Sequence, residues 1–580
     1  MLTSSDQPIH PMPPGEPHPV PYILRVGVTG HRELQDRGAV TAAVESLLMT
    51  IRKSLEDNIT GQAGKTVLKW KVVSALAKGA DQIVAGVAME KMGATLEAVL
   101  PAEPGEYRKD FVNPDDLQEF NSLFERAENY PFLRDVNTSF PPSVKEGYEK
   151  AGKALADACE ILVAVWDGKP ARGKGGTASI VSYACSVNRL VVWIDALNPV
   201  APPLILTEVK EITASDGDYG SNSLQVKTKP IPKNASGWSS RFLQVAEYNS
   251  DKAFRKSSYD KVLERNLAKI EGTARNTGLD LRIIHPLLTA LLPHYARADS
   301  LAVHYRKLHT RSAIWLYRLA AIAVAIAVFQ ALYFPAHTGW TVLEILALTG
   351  AVIMFRVSFA KHWHEKYLNY RHLAERIRIL LFQSVAGQQS ENNSIVKQPL
   401  PFYPGPGGWV LDVFDEIKKG LSSFTVPQER FIEVKRFVTE GWVSDQADYH
   451  AKNAVTKERH SIRDHRIIGV LLAGTLAAAF IHFLRIVHDP AVENLIVSMV
   501  IILPSFASAQ HAIDSVRDSE RIATRSAMMK ELLRSIAHTM NDAPGWEELN
   551  REIRRAEDIM STENHEWCVS LSFRRISLPV

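Results

Sequence analysis

Three short segments of this chain combine glycine with a cation and a small polar or acidic side chain, the residue types that hold a phosphate-bearing ligand without a metal. The first is Gly27-Val-Thr-Gly30-His31-Arg32, directly after an apolar run. Its glycines permit a tight turn and close backbone approach to an anion, and Arg32 offers a planar charged fork suited to phosphate. The second runs from Ser74 through Gly79 to Asp81. Asp81 reads either as a helix N-cap or as a group accepting from a ribose or a base, with Ser74 and Gly79 along the same crevice. The third runs from Trp166 and Asp167 to Gly175, Gly176 and Thr177. There the N–H groups of the last three residues, at a helix start, form an anion site, and Lys169, Arg172 and Lys174 add charge. A lone glycine turn after a strand is more often only a turn; three at three strand ends point together to a nucleotide or sugar phosphate. The candidate ligand set is therefore Gly30, His31, Arg32, Ser74, Gly79, Asp81, Asp167, Gly175, Gly176 and Thr177. No catalytic residue, metal ligand or cofactor is assigned.

The elements around these turns are short apolar runs at 23–29, 67–74, 95–100, 161–166 and 190–194, alternating with helical patterns at 38–55, 81–92, 144–158 and 177–187. Continuous apolar strands separated by helices predict an α/β fold, a doubly wound parallel sheet covered on both faces over residues 23–200. Residues 1–22 carry seven prolines and read as a disordered tail. Residues 201–293 read as an insertion or linker, with a loop from 215 to 237.

Residues 294–580 predict an all-α membrane domain. Four apolar runs, at 314–334, 341–360, 467–484 and 495–509, come as two hairpins. Their turns, at 335–339 and around Asp489-Pro490, have Arg485 as their one nearby Lys or Arg. The opposite ends hold Arg306, Lys307, Arg311, Arg356, Lys361, Lys366, Arg463, Arg466, Arg517 and Arg521. The positive-inside bias then places both termini in the cytoplasm of a multi-pass inner-membrane protein, with the lipid bilayer as a partner. No Gly or Pro interrupts 294–334, 351–386, 442–468 or 505–541, so each span is expected to continue inward as one helix. A 36-residue stretch of that kind reaches about 54 Å, well beyond a hydrocarbon core of about 30 Å. Tyr367, Tyr370, Ala374, Ile377 and Leu381 form an apolar seam, with Arg371, Glu375, Arg376 and Arg378 on the other face. The seam needs partner helices, from the same chain or from a second copy in a homo-oligomer. Pro504 is a hinge candidate in the fourth span.

Composition narrows the classes. A chain of 580 residues is too long for one ordinary domain. With 67 basic against 64 acidic residues it carries no overall attraction for nucleic acid, and none is expected as a partner. Cys159, Cys185 and Cys568 form neither a zinc spacing nor a disulfide framework. His362, His364 and His372 lack metal-ligand spacing and read as interfacial anchors.

The set VGVTGHREL, SALAKGAD and VWDGKPARGKGGTASIVSYA resembles the SLOG superfamily, Rossmann-like nucleotide-binding domains that include the LOG cytokinin-activating hydrolases and the amino-terminal sensor of melastatin-type TRP channels. The segments 296–306 and 362–378 are similar to the SLATT domain, a two-span effector module found beside SLOG and nucleotide-second-messenger systems in bacterial conflict loci. The resemblances cover about residues 22–195 and 295–540. They imply phosphate at Gly175, Gly176 and Thr177, with Gly30, Gly79 and Asp81 along the same crevice. They also imply a nucleotide-gated membrane effector in antiviral defence. One departure matters: LOG hydrolases follow the glycine-threonine turn with a catalytic glutamate, and here Ala178, Ser179 and Ile180 follow Thr177. The domain therefore reads as a sensor. A membrane-anchored enzyme acting on a nucleotide or nucleoside is the alternative, with Glu160, Asp167 and Asp195 as carboxylates near strand ends.

Overall fold

The computed structural model describes residues 19–62, 66–129, 144–171, 175–212, 223–387, 408–421 and 424–572. Most of the proline-rich tail, Arg172, Lys174 and residues 215–222 of the expected loop lie outside the described residues. The chain forms two compact units, one of His18–Lys252 with Glu391–Glu416, the other of Ala253–Ser390 with Ile417–Val580.

The first unit is a mostly parallel α/β sheet of eight strands. Its elements are β1 (Tyr22–Gly30), α1 (Arg37–Gln62), β2 (Leu68–Ser74), α2 (Ala80–Met92), β3 (Thr95–Ala98), α3 (Pro104–Tyr107), α4 (Pro114–Phe124) and β4 (Ala127–Asn129). They continue with α5 (Val144–Ala158), β5 (Ile161–Trp166), α6 (Thr177–Ser186), β6 (Leu190–Asp195), β7 (Leu204–Ile212), β8 (Ser223–Pro230), α7 (Ala235–Trp238) and α8 (Ser240–Asn249). The strand order is β4-β3-β2-β1-β5-β6-β7-β8. β1 to β6 run parallel, and β7 and β8 are antiparallel. The order steps outward from β1 through β4 and then returns to place β5 on the other side of β1. Because crossovers are right-handed, α1 and α2 cover one face and α5 and α6 the other. This is why β5 is buried along its whole length and reads as an unbroken apolar run.

The expected loop at 215–237 gives way in its described part to strand β8 and helix α7. The pattern of β8 alternates Leu224 and Val226 with Gln225 and Lys227, the period of a strand wet on one face. Its lysines suit a sheet edge, which discourages further pairing. One later segment belongs to this unit: on the helix Gly408–Lys419, Trp409 packs against Tyr248, and Asp412 pairs with Arg25 at 3.0 Å and Arg241 at 3.2 Å.

The second unit is all-helical: α9 (Lys256–Thr277), α10 (Leu281–Tyr333), α11 (Gly339–Ala360), α12 (Trp363–Val385), then α13, the Gly408–Lys419 helix that begins in the sheet unit, and α14 (Phe431–Val438). A π-helical turn, Thr439–Ser444, leads into α15 (Asp445–Leu484), followed by α16 (Pro490–Arg517), α17 (Ser519–Asp542) and α18 (Trp546–Ser572). Among the described residues, four helical stretches are long and apolar enough to cross a membrane: Leu281–Tyr333, Gly339–Ala360, Gln428–Leu484 and Pro490–Asp542. α10 packs along α11 and α12, α15 along α16 and α17, and α10 against α16 joins the two hairpins.

Two of the four apolar helices break instead of running on past their charged ends as single helices. α11 stops at Lys361, and His362 takes a positive φ of 51° before α12 starts. α16 stops at Arg517, and Asp518 does the same at 48°. His and Asp are among the few side chains that tolerate this conformation, so a helix ends without the glycine or proline that marks most breaks. Pro504 lies inside α16 without interrupting it. The seam of α12 is buried at Tyr370, Ala374, Ile377 and Leu381. The charged face is not left to solvent: Arg371 binds Asp299 of α10 at 2.9 Å, and Arg371 and Arg378 both pair with the buried Glu375. Burial opposes the charge on Glu375, but the two guanidinium groups outweigh it and hold its carboxyl below the ordinary range.

Candidate functional site

A cleft of about 260 Å³ opens beyond the carboxyl ends of β1 and β5. This is the topological switch point of the sheet, where neighbouring crossovers leave in opposite directions and open a crevice. Four elements meet there: the turn after β1, the first turn of α2, the helix α5, and the loop from β5 into α6. Of the candidate residues, Gly30, His31, Arg32, Asp81, Asp167, Gly175, Gly176 and Thr177 line the cleft. Lys169 lines it too.

Ser74 and Gly79 do not line it; they build it. Ser74 is fully buried, its hydroxyl accepting from the Leu76 N–H at 3.0 Å. Gly79 has φ +88°, and a Cβ there would lie 2.4 Å from the Arg32 carbonyl oxygen and 2.5 Å from that of His31. Its missing side chain lets the two turns touch, with the Ala80 N–H donating to the His31 carbonyl at 3.1 Å. Gly175, at φ +79°, closes over α5 in the same way; a Cβ there would stand 2.7 Å from the Glu149 nitrogen.

One end of the cleft is the start of α6. Gly176 is its N-cap in extended backbone with no side-chain cap, and its carbonyl accepts from Ser179 and Ile180. The N–H groups of Thr177 and Ala178, in the first turn, have no intrahelical acceptor and carry the positive end of the helix dipole. Arg32 stands at the mouth, exposed, its guanidinium 4.9 Å from the centre of the Tyr148 ring. Tyr148, on α5, carries no local motif, and only the fold brings it to the site.

Asp81 is not the N-cap of α2. The helix begins one residue earlier, after Gly79, and Asp81 lies in its first turn, 6 % exposed, on the cleft wall. Burial raises its carboxyl to about 7, opposed by the Ala77 N–H and by the charge of Arg32. Beside it, among the described residues, the Tyr107 hydroxyl and the Gln82 Oε1 are buried without a hydrogen-bond partner. Asp167 differs. Partial burial works against its charge, but the Lys169 N–H and His31 outweigh that and hold it below its ordinary value. His31 Nε2 lies 3.0 Å from the Asp167 carboxylate and 3.1 Å from the Asp167 backbone nitrogen. One nitrogen cannot serve both: as acceptor it holds the turn, as N–H it holds the carboxylate.

The other carboxylates near strand ends lie elsewhere. Glu160 precedes β5, at the amino end of the strand and so on the opposite rim, where the Tyr22 and Ser239 hydroxyls bind it. Asp195 accepts from the Leu197 N–H in the turn after β6. Ala178, which follows the glycine-threonine turn, presents a methyl group to the cleft in place of a carboxylate. Cys159 is fully buried and its thiol is pushed up to about 12, chiefly by burial, which makes it a packing residue. Among the described residues no group of His, Cys, Asp and Glu gathers as a metal site.

No family model matches the chain, and no curated protein is found to resemble it.

Proposed function

We propose that the sheet unit binds a nucleotide-derived, phosphate-bearing ligand at the switch-point cleft, and that the chain is a membrane effector responding to that ligand. The observation that carries this reading is the convergence on one crevice of an uncapped helix start, Arg32 and a buried carboxyl. The SLOG and SLATT resemblances of the two halves support the same pairing of sensor and membrane module, with a role in bacterial antiviral defence. The charge asymmetry of the hairpins supports an inner-membrane protein with both termini cytoplasmic. Single cysteines at Ala336 and Val487 would then label from outside intact cells, while one at Lys307 would not.

Gating sets an energetic requirement. Taking a bundle from about 1 % to about 99 % open needs roughly 5.5 kcal/mol of differential ligand affinity, within reach of several backbone donors and an Arg. The test is dye release from liposomes carrying the full-length protein, with and without a panel of nucleotides. Release that rises saturably with one nucleotide supports the reading; release indifferent to all of them defeats gating.

One observation favours a second reading, a membrane-anchored enzyme. Asp81 and Asp167 line the same cleft with their proton affinities pushed in opposite directions, the pattern of an acid and its partner base. Turnover of a nucleotide by the full-length protein, lost in Asp81→Asn, would select it over the sensor.

A further inference from the structure

We infer that Asp81 makes the cleft selective for a ribose, holding the vicinal hydroxyls of a ribonucleotide and rejecting its 2′-deoxy counterpart. The inference rests on the nucleotide-binding reading and specifies which part of the ligand lies where.

The strand order fixes the layout. The α6 start follows β5, and Asp81 follows β2, with β1 between them. Two strand spacings separate them, about 10 Å, which suits the phosphate and the sugar of one nucleotide unit. The cleft is small, about 260 Å³. That is just under the range of about 300 Å³ and upward common for ligand sites, and it suits a sugar phosphate. A flat surface waits at the mouth: the Arg32 guanidinium lies on the Tyr148 ring, and a planar group of this kind stacks a nucleobase without reading its edge.

The floor is polar and underused. An ionised carboxylate has about four acceptor sites, and the donor that acts on Asp81 is the Ala77 N–H. Asp81 is the buried carboxyl among the residues that line the cleft, so the acceptor capacity it has left faces an occupant there. Two neighbouring hydroxyls donate in parallel to one carboxylate, the arrangement by which an acidic residue holds a ribose in dinucleotide folds. A base amino group would need the wide plane of the ring to enter the narrow floor. Losing one hydroxyl leaves part of the carboxylate desolvated without return, which is how polar sites reject an analogue strongly.

The experiment is calorimetric titration at pH 8, where Asp81 is ionised, of the full-length protein in detergent with the four common ribonucleoside diphosphates and their 2′-deoxy forms. Wild type should bind at least one ribonucleotide about tenfold or more tightly than its deoxy form, the scale of one hydrogen bond to a charged group. In Asp81→Asn the gap should close to about twofold, through weaker ribonucleotide binding. Arg32→Ala should weaken both forms in parallel and keep the gap. Equal wild-type affinities, or a gap unchanged in Asp81→Asn, overturn the inference and leave nucleotide binding standing. Saturable binding by none of the probes removes the nucleotide reading and this inference with it. A melting temperature of Asp81→Asn at or above wild type at pH 8 shows that the variant is folded.

Discussion

At Gly79 the backbone conformation and the two carbonyl oxygens within 2.5 Å of where a methyl group would stand leave no room for a side chain, whereas at Gly86, inside α2, nothing beyond the neighbouring turns of its own helix lies within 4 Å of that position. Gly79→Ala should therefore destabilise the protein by about 1–3 kcal/mol or more and weaken ligand binding, because the turns it joins carry Arg32 and Asp81. Gly86→Ala should stabilise it by about 0.5–1 kcal/mol, as alanine does in a helix interior. Thermal melts of the two variants check the pair. Asp81 gives a pH-dependent counterpart. The folded protein keeps its proton up to about pH 7, whereas the unfolded chain releases it near 3.8. Between those values the native state binds more protons, so this residue erodes stability as pH rises through that window. Asp81→Asn should gain stability on the order of 3 kcal/mol at pH 8 and almost nothing at pH 4, read as the difference between two denaturation series. Residue types alone disclose eight of the ten candidates as cleft-lining, because glycine before a helix and a cation after a strand are local signals. Ser74 and Gly79 are also legible as special, but not as supports; that requires the partner turn, which lies far away in sequence. Tyr148 is illegible for the same reason.

Among the elements, α12 shows how a helix reads differently from its neighbours than from its own pattern. Its apolar seam is visible at three- and four-residue spacing, yet its charged face is also enclosed, with Arg371 pairing with both Asp299 and Glu375 and Arg378 pairing with Glu375. A pattern taken from one helix cannot show that a second layer covers the polar side. Removing one partner from an enclosed ion network leaves the others uncompensated, so Glu375→Gln should cost about 3–5 kcal/mol. The carboxyl is held below its ordinary value, so its contribution is present above about pH 4.3 and fades as pH falls through the lowered folded value. Detergent-solubilised wild type and variant should differ most at pH 7 and converge in strong acid. The breaks at His362 and Asp518 are hidden in the sequence because neither carries the glycine or proline that ordinarily signals one. The parallel strands, by contrast, are legible: a strand buried on both faces shows an unbroken apolar run, whereas the edge hairpin β7–β8 is half polar and resembles a loop.

For the whole molecule, Asp412 is the residue to change. It lies in the segment Glu391–Glu416 that joins the sheet unit, and its carboxylate is shared by Arg25 of β1 and Arg241 of α8. Asp412→Ala should destabilise the sheet unit by about 3–5 kcal/mol, seen as greater proteolysis within residues 19–252 while the α10 segment stays protected. That return visit by the chain also governs how the protein can be taken apart. Severing it after Lys252 frees an amino-terminal fragment stripped of Asp412 and Trp409, and strands those residues on the remainder with an apolar face and a carboxylate that have lost their seat. Exchanging the sheet unit for a foreign counterpart must therefore replace two separate stretches at once.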